Sequence, residues 1–311
     1  MTYRINGLHH VTALASDAQA NNDFYTRTLG LRRVKKTVNF DAPQVYHLYY
    51  GDEVGTPGTV ITHFPFPHAR RGHPGSGEVG ETAFSVPRGT LADWHARLSR
   101  AGVAGLARND RMGEARLRFD GPDGEALALV ETDDVRHPWT GADLPEGMAI
   151  RGFHSVTMRL AEPDASAALL ARLGYEEAGH EGSVTRHALP GGDNGAGIID
   201  IAHAPDTEEA RQGAGSVHHI AFSVPDRAAQ DAARRDMLDA GYQVTPPIDR
   251  DYFWAIYFRS PGGVLFEIAT DDPGFDRDED IAHLGEGLML PRQHAHLRAE
   301  LQQRHLAPIE D

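Results

Sequence analysis

The sequence predicts an α+β fold in which four βαβββ modules pair into two curved-sheet barrels. Three observations predict it. A strand-like run followed by an amphipathic helix that ends at glycine recurs four times. A Pro-Gly or Pro-Asp-Gly turn precedes the closing strand in three of the four copies. A polar segment containing Pro and Gly separates the second copy from the third. A βαβββ module leaves one sheet face exposed and does not close alone, so the modules are expected to pair around a cavity.

The elements follow in order. Module one spans 7–66, opening with GLHHVTALA and continuing through the helix candidate DAQANNDFYTRTLG to the closing run TPGTVITHF. Module two spans 80–131, from GETAFSV through TLADWHARLSRAG to GPDGEALALVE, and completes a first half at 1–135. Residues 136–150 are the expected linker. Module three, 152–203, opens with GFHSVTMRL, carries the helix DASAALLARLG and replaces the proline turn by GGDNGAGIIDIAH. Module four, 216–271, runs from VHHIAFSV through DRAAQDAARRDMLDAG to SPGGVLFEIAT. The tail at 272–311 is acidic and then reads as one helix over 290–306, with Leu290, His294, Leu297 and Leu301 on one stripe that should dock.

At 311 residues, 40% hydrophobic and 24% charged, the chain has the composition of a soluble globular protein with room for two domains. No apolar run is long enough for a membrane helix, and the N-terminus carries no apolar leader core, so a cytoplasmic location is expected. A formal charge of −15 disfavours nucleic acid and anionic membranes as partners and leaves assembly into a homo-oligomer open. There is no cysteine, so any metal must be held by nitrogen and oxygen, and the 18 histidines make that question pressing.

Repeat-equivalent positions narrow the candidates. Near the start of each opening strand stand His10, Glu81, His154 and His219, while in the closing strands His63, Ala128 and Glu267 lie six residues after the turn proline, with Asp200 nearest in module three. Seven of these eight are histidine or carboxylate, at positions flanked by Val, Ile and Phe. Converging buried ionisable groups need a partner, and a divalent cation is the usual one. Two imidazoles and a carboxylate, His10, His219 and Glu267, leave coordination positions open, which suits Fe(II), with Mn(II) also compatible.

With these residues in place the chain resembles the vicinal oxygen chelate superfamily over nearly its whole length. GLHHVT, VHHIAFSV, DRDYFWAIYFRSPGGVLFEIAT and the GLMLP tail look like the ring-cleaving dioxygenases that open hydroquinones and chlorinated hydroquinones. The resemblance implies that His10, His219 and Glu267 hold iron, and that His9 and His218 support the ligands or face the substrate. It also marks Arg250 as a cation for a phenolate and Tyr257 as a phenol donor, with Thr12, Phe253 and Trp254 around the substrate. The implied partners are a small aromatic compound and O2. Adjacent histidines on a regular strand point to opposite faces, so the doubled pairs imply either divided roles or a bulge.

Three other readings compete. An extradiol catechol layout would use His154 in place of His10 and pair modules three and four. A glyoxalase-like isomerase or lyase would add His63 as a fourth ligand for Ni, Co or Zn, from the loop HFPFPHARRGHPG that also carries His68 and His73. A metal-free aromatic-binding protein of the same fold is the non-enzyme reading. The doubled histidines in modules one and four favour pairing of those two, with Glu81, His154 and Asp200 left as a vestigial set in the other barrel.

Overall fold

In the computed structural model, residues 3–141 and 143–310 are described; Met1, Thr2, Ala142 and Asp311, which fall within the expected segments 1–135, 136–150 and 272–311, lie outside them. Module one contributes β1 (Leu8–Ala15), α1 (Ala18–Asp23), β2 (Arg32–Val38), β3 (Tyr46–Gly51) and β4 (Val60–Pro65). Module two contributes β5 (Glu78–Pro87), α2 (Leu91–Arg100), β6 (Ala107–Arg111), β7 (Glu114–Asp120) and β8 (Ala126–Thr132). Module three contributes β9 (Gly152–Leu160), α3 (Asp164–Arg172), β10 (Glu176–Glu181), β11 (Val184–Ala188) and β12 (Ile198–His203). Module four contributes β13 (Val217–Val224), α4 (Arg227–Asp239), β14 (Ile248–Asp249), β15 (Phe253–Arg259) and β16 (Leu265–Pro273), and the tail ends in α5 (Arg298–Arg304).

Two eight-stranded sheets result. The first has the order β14-β15-β16-β13-β1-β4-β3-β2 and joins modules four and one; the second, β10-β11-β12-β9-β5-β8-β7-β6, joins modules three and two. Within each module the opening strand runs parallel to the closing one, and between modules the two opening strands pair antiparallel. Two of the helices, α1 and α4, start at a side-chain cap: Asp17 accepts from the Ala20 amide and Asp226 from the Ala229 amide. Their apolar stripes, such as Leu91, Trp94 and Leu98 on α2, are buried, and Phe84 stacks on Phe153 where the modules of the second sheet meet.

The tail departs from expectation. In place of one helix over 290–306, a tight 3-10 segment at Arg292–Leu297 precedes the short α5. The reason is local: His294 Nε2 lies 2.9 Å from the Phe40 carbonyl, and the Arg298 guanidinium donates to the Leu288 carbonyl, so this stretch is fitted to module one rather than wound regularly. Leu301 is buried, as the stripe requires, and the Lys35 ammonium is held at 2.6 Å by both Asp278 and Glu279. No helix among the described residues is long and apolar enough to cross a membrane.

Candidate metal centre

Antiparallel pairing of β1 with β13 sets His10 opposite Ala221 and Thr12 opposite His219, while parallel pairing of β13 with β16 sets Ala221 beside Glu267. Three neighbouring strands thus bring His10, His219 and Glu267 to one sheet face. Their donor atoms lie within 4.8 Å of one another: His10 Nε2 to His219 Nε2 is 3.2 Å, His219 Nε2 to Glu267 Oε2 is 2.9 Å and His10 Nε2 to Glu267 Oε2 is 3.5 Å. Relative exposures of 2%, 5% and 0% remove all three from water. Burial pushes the Glu267 carboxyl up, but the imidazoles of His10 and His219 outweigh it and hold the group well below the usual carboxylate range. Neither carboxylate oxygen has an aligned hydrogen-bond donor. A buried carboxylate left in that state is costly, and a divalent cation among two nitrogens and an oxygen would relieve it. The donor set fits a metal.

The paired histidines complete this arrangement. His9 Nδ1 stands 2.8 Å from His10 Nδ1, and His218 Nδ1 stands 2.7 Å from His219 Nδ1. An Nε2 lone pair turned to a metal places each ligand's proton on Nδ1, and each of those protons then has one acceptor, the neighbouring imidazole. Burial pushes His9 down to about 3 and His218 down to about 4, which keeps both neutral and able to accept. Adjacent rings meet because the pairing of β1 with β13 is irregular on both sides of this stretch, between Leu8 and His10 and between Thr12 and Ala13.

The triad lies at the wall of a cavity of about 650 Å3. Its apolar lining includes Leu14, Phe40, Phe64, Phe66, Phe253 and Leu265, and its polar lining includes His47, Tyr49, Arg250 and Tyr257. The Phe253 ring packs at a tilt, its centroid 4.9 Å from that of His10 and 5.1 Å from that of His9. Tyr257 sits directly across from Glu267, and the Arg250 Nε donates to its hydroxyl at 3.2 Å. Burial, with the Glu267 charge beside it, pushes the Tyr257 phenol well above its usual range. Two expected substrate contacts stand elsewhere. Trp254 is absent from the lining because the next residue along a strand faces the other way; its indole packs 4.2 Å from the Arg227 guanidinium. Thr12 is also absent from the lining, its hydroxyl 2.9 Å from that of Thr62.

Strand register also corrects the repeat equivalences. Thr62 pairs with Thr12 as Glu267 pairs with Ala221, so Thr62, not His63, occupies the place of Glu267 in module one. The turn before β4 is one residue shorter than the one before β16, and a shift of one residue reverses the face. His63 points to the opposite side, against Tyr25 at 4.5 Å, with both ring nitrogens unpartnered. It does not join the triad, and His68 and His73 are exposed on the crossing loop. In the second sheet Glu81 pairs with Thr157 as His10 pairs with Ala221, and Asp200 pairs with Thr157 as Glu267 pairs with Ala221. The position of His219 therefore falls to Ser155, and His154 corresponds to His218. The His154 ring bonds Ser155 Oγ at 2.9 Å and Glu114 at 3.0 Å, far along the chain fold from Glu267.

Sequence reasoning missed His47 and Tyr49. Both sit on β3 in the run YHLYYG, which reads as core; the signal was the alternation that puts His47 and Tyr49 on one face.

Comparison with known proteins adds a family. A model of the glyoxalase/bleomycin resistance protein/dioxygenase superfamily matches residues 7–129 and 152–268. The chain is 44% identical over 312 residues to "Putative ring-cleaving dioxygenase MhqO" of Bacillus subtilis, covering 100% of this chain and 98% of that one. It is 36% identical over 307 residues to a chlorohydroquinone/hydroquinone 1,2-dioxygenase of Sphingobium indicum, covering 96% and 95%. A crystal structure of a "putative dioxygenase" from Bacillus subtilis matches with a TM-score of 0.95 at 42% identity, covering 99% and 98%.

Proposed function

The chain belongs to the glyoxalase/bleomycin resistance protein/dioxygenase superfamily, and from that premise we propose that it is a non-haem Fe(II)-dependent dioxygenase that opens the ring of hydroquinone-type substrates. The observation that carries this reading is the buried triad His10, His219 and Glu267, whose carboxylate oxygens have no aligned hydrogen-bond donor, at the wall of a largely apolar cavity. The 36% identity to a chlorohydroquinone/hydroquinone 1,2-dioxygenase supports the substrate class.

In this reading the three residues hold iron, and Mn(II) suits the same donors. When bound, the metal supplies the electron transfer that lets an aromatic ring react with O2, and the product is an open-chain acid carrying both oxygen atoms. The protein binds, orients and excludes water. His9 and His218 accept the Nδ1 protons of the ligands and so fix their rings. Arg250 holds a phenolate or the distal hydroxyl as a fixed cation. Tyr257, kept protonated by burial, donates to an oxygen of the reacting pair. Phe253 walls the ring's site, and Thr12 supports the floor. An acidic, cysteine-free chain suits a cytoplasmic enzyme of small molecules, with neither nucleic acid nor membrane as partner.

A glyoxalase-like centre would need a fourth ligand where Thr62 stands, and a threonine hydroxyl is a poor substitute for a carboxylate. The test is oxygen uptake by anaerobically Fe(II)-loaded protein offered hydroquinone, catechol and the methylglyoxal–glutathione adduct in parallel. Uptake with hydroquinone is the expected result; isomerisation of the adduct without oxygen consumption would overturn the reading.

A further inference from the structure

The cavity contains a second phenol in the same structural place as Tyr257. Tyr257 stands across from Glu267 and Tyr49 stands across from Thr62, the module-one position equivalent to Glu267. Tyr49 belongs to a chain of buried groups. Its hydroxyl is 2.9 Å from His47 Nδ1, His47 Nε2 is 2.8 Å from Thr62 Oγ1, and Thr62 Oγ1 is 2.9 Å from Thr12 Oγ1.

The direction of this chain follows from counting donors. Burial, followed by the neighbouring His10 and His219, holds His47 well below the usual imidazole range, so its ring is neutral, with one donor and one acceptor nitrogen. Were Tyr49 to donate to His47, then His47 would donate to Thr62 and Thr62 to Thr12. The fully buried Thr12 hydroxyl would then have no acceptor among the described residues. In the opposite sense Thr12 donates to Thr62, Thr62 to His47 and His47 to the Tyr49 oxygen, and the one donor left over is the Tyr49 O–H, on a residue that lines the cavity as Thr12 does not. The second arrangement is favoured because its spare donor faces a cavity where an acceptor can enter, whereas a hydroxyl orphaned between strands costs about 1–3 kcal/mol. Tyr49 then receives at its oxygen, as Tyr257 receives from Arg250, and its own O–H is free to donate into the cavity it lines.

We propose that Tyr49 is a substrate-binding residue, a second phenol donor that holds an oxygen of the phenolic substrate, and that Thr12, Thr62 and His47 are positioning residues that fix the direction of its hydroxyl. This rests on the reading of the cavity as a site for hydroxylated aromatics.

The test uses 4-nitrophenolate, a coloured phenolate, with the full chain loaded with redox-silent Zn(II). Wild-type protein is expected to bind the probe and to shift its absorption band to the blue, as donation to a phenolate oxygen does. Tyr49→Phe should weaken binding about tenfold, the scale of one hydrogen bond to a charged group, and return the band towards the red. Thr62→Val, which leaves the phenol in place, should move band and affinity the same way by a smaller factor, with metal content unchanged and a modestly lower melting temperature from the orphaned Thr12 hydroxyl. A Tyr49→Phe variant with the wild-type band and affinity overturns the binding role, and a Thr62→Val variant with the wild-type band overturns the positioning chain. If metal-loaded wild-type protein binds no probe at all, the functional reading falls with the inference; if wild type binds and Tyr49→Phe matches it, only the inference falls.

Discussion

The two sheets of this molecule share one register and hold opposite chemistry. In the first, the donor atoms of His10, His219 and Glu267 converge to within 4.8 Å of one another. In the second, the equivalent places are taken by Glu81, Ser155 and Asp200, and arginines fill the space between. Arg111 Nη1 lies 3.4 Å from Glu81, 3.1 Å from Asp200 and 3.0 Å from Thr157 Oγ1. Arg116 and Arg118 close on Glu81, and Arg186 reaches both Asp200 and Glu114. The same curved scaffold therefore offers two ways to compensate buried carboxylates. A guanidinium paired directly with the carboxylate is permanent, whereas Glu267 faces two imidazoles, an arrangement that an exchangeable cation would complete.

Substitutions can break this contrast. His10→Ala, His219→Ala or Glu267→Ala should abolish stoichiometric iron and lower ring cleavage by on the order of a thousandfold or more, with the fold intact by circular dichroism. His154→Ala should keep both within a few-fold. Metal analysis decides between the sheets, and an iron-free His154→Ala would reverse their roles.

The second sheet is expected to answer in stability instead. Arg111→Ala leaves Asp200 and Glu81 with fewer cations and should cost about 3 kcal/mol in chemical denaturation, with bound metal unchanged at one equivalent. Uptake of a second equivalent would mean that the two sheets differ by this arginine alone.

A smaller effect probes the joint between the sheets, where Tyr25 of module one donates to Glu125 of module two at 3.3 Å. Burial pushes the Glu125 carboxyl up to about 7 from 4.5. The folded protein thus holds a proton that the unfolded chain releases, so stability from this group is present at low pH and is lost as pH rises from about 4.5 through 7. Glu125→Gln should be more stable than wild type by up to about 3 kcal/mol at pH 8, and the gap should narrow towards pH 4. A pH-independent difference would show that Glu125 is not protonated there.

The smallest change is expected at His63. Its imidazole is buried, pushed down to about 3 by desolvation, and unpartnered. His63→Leu should keep iron and activity and alter stability by no more than about 1 kcal/mol, because no hydrogen bond is lost. Loss of metal in that variant would restore a four-ligand centre.

The repeat and its strands were legible because alternation, glycine stops and proline turns act locally. The triad was legible because imidazoles and a carboxylate amid Val, Ile and Phe demand an explanation. Register was not. The equivalence of Thr62 rather than His63 turns on one residue in a turn, and that of Ser155 rather than His154 on one residue within an opening strand; only cross-strand pairing settles such shifts. The arginine filling was hidden as well. Arg111 sits in ARNDR, a run that reads as solvated surface, and only the folding of β6 over β7 turns its guanidinium inward.

The pairing of modules one and four has a consequence in time. His10 and His219 are 209 residues apart, so at ribosomal speeds of about 5–20 residues per second the first imidazole waits about 10–40 s for the second. Modules two and three are consecutive and can pair while translation continues, whereas β1 must wait with an unsatisfied edge that chaperones have reason to shield. Because Glu267 emerges later still, the nascent chain cannot bring the triad together until the last strand of module four has been made.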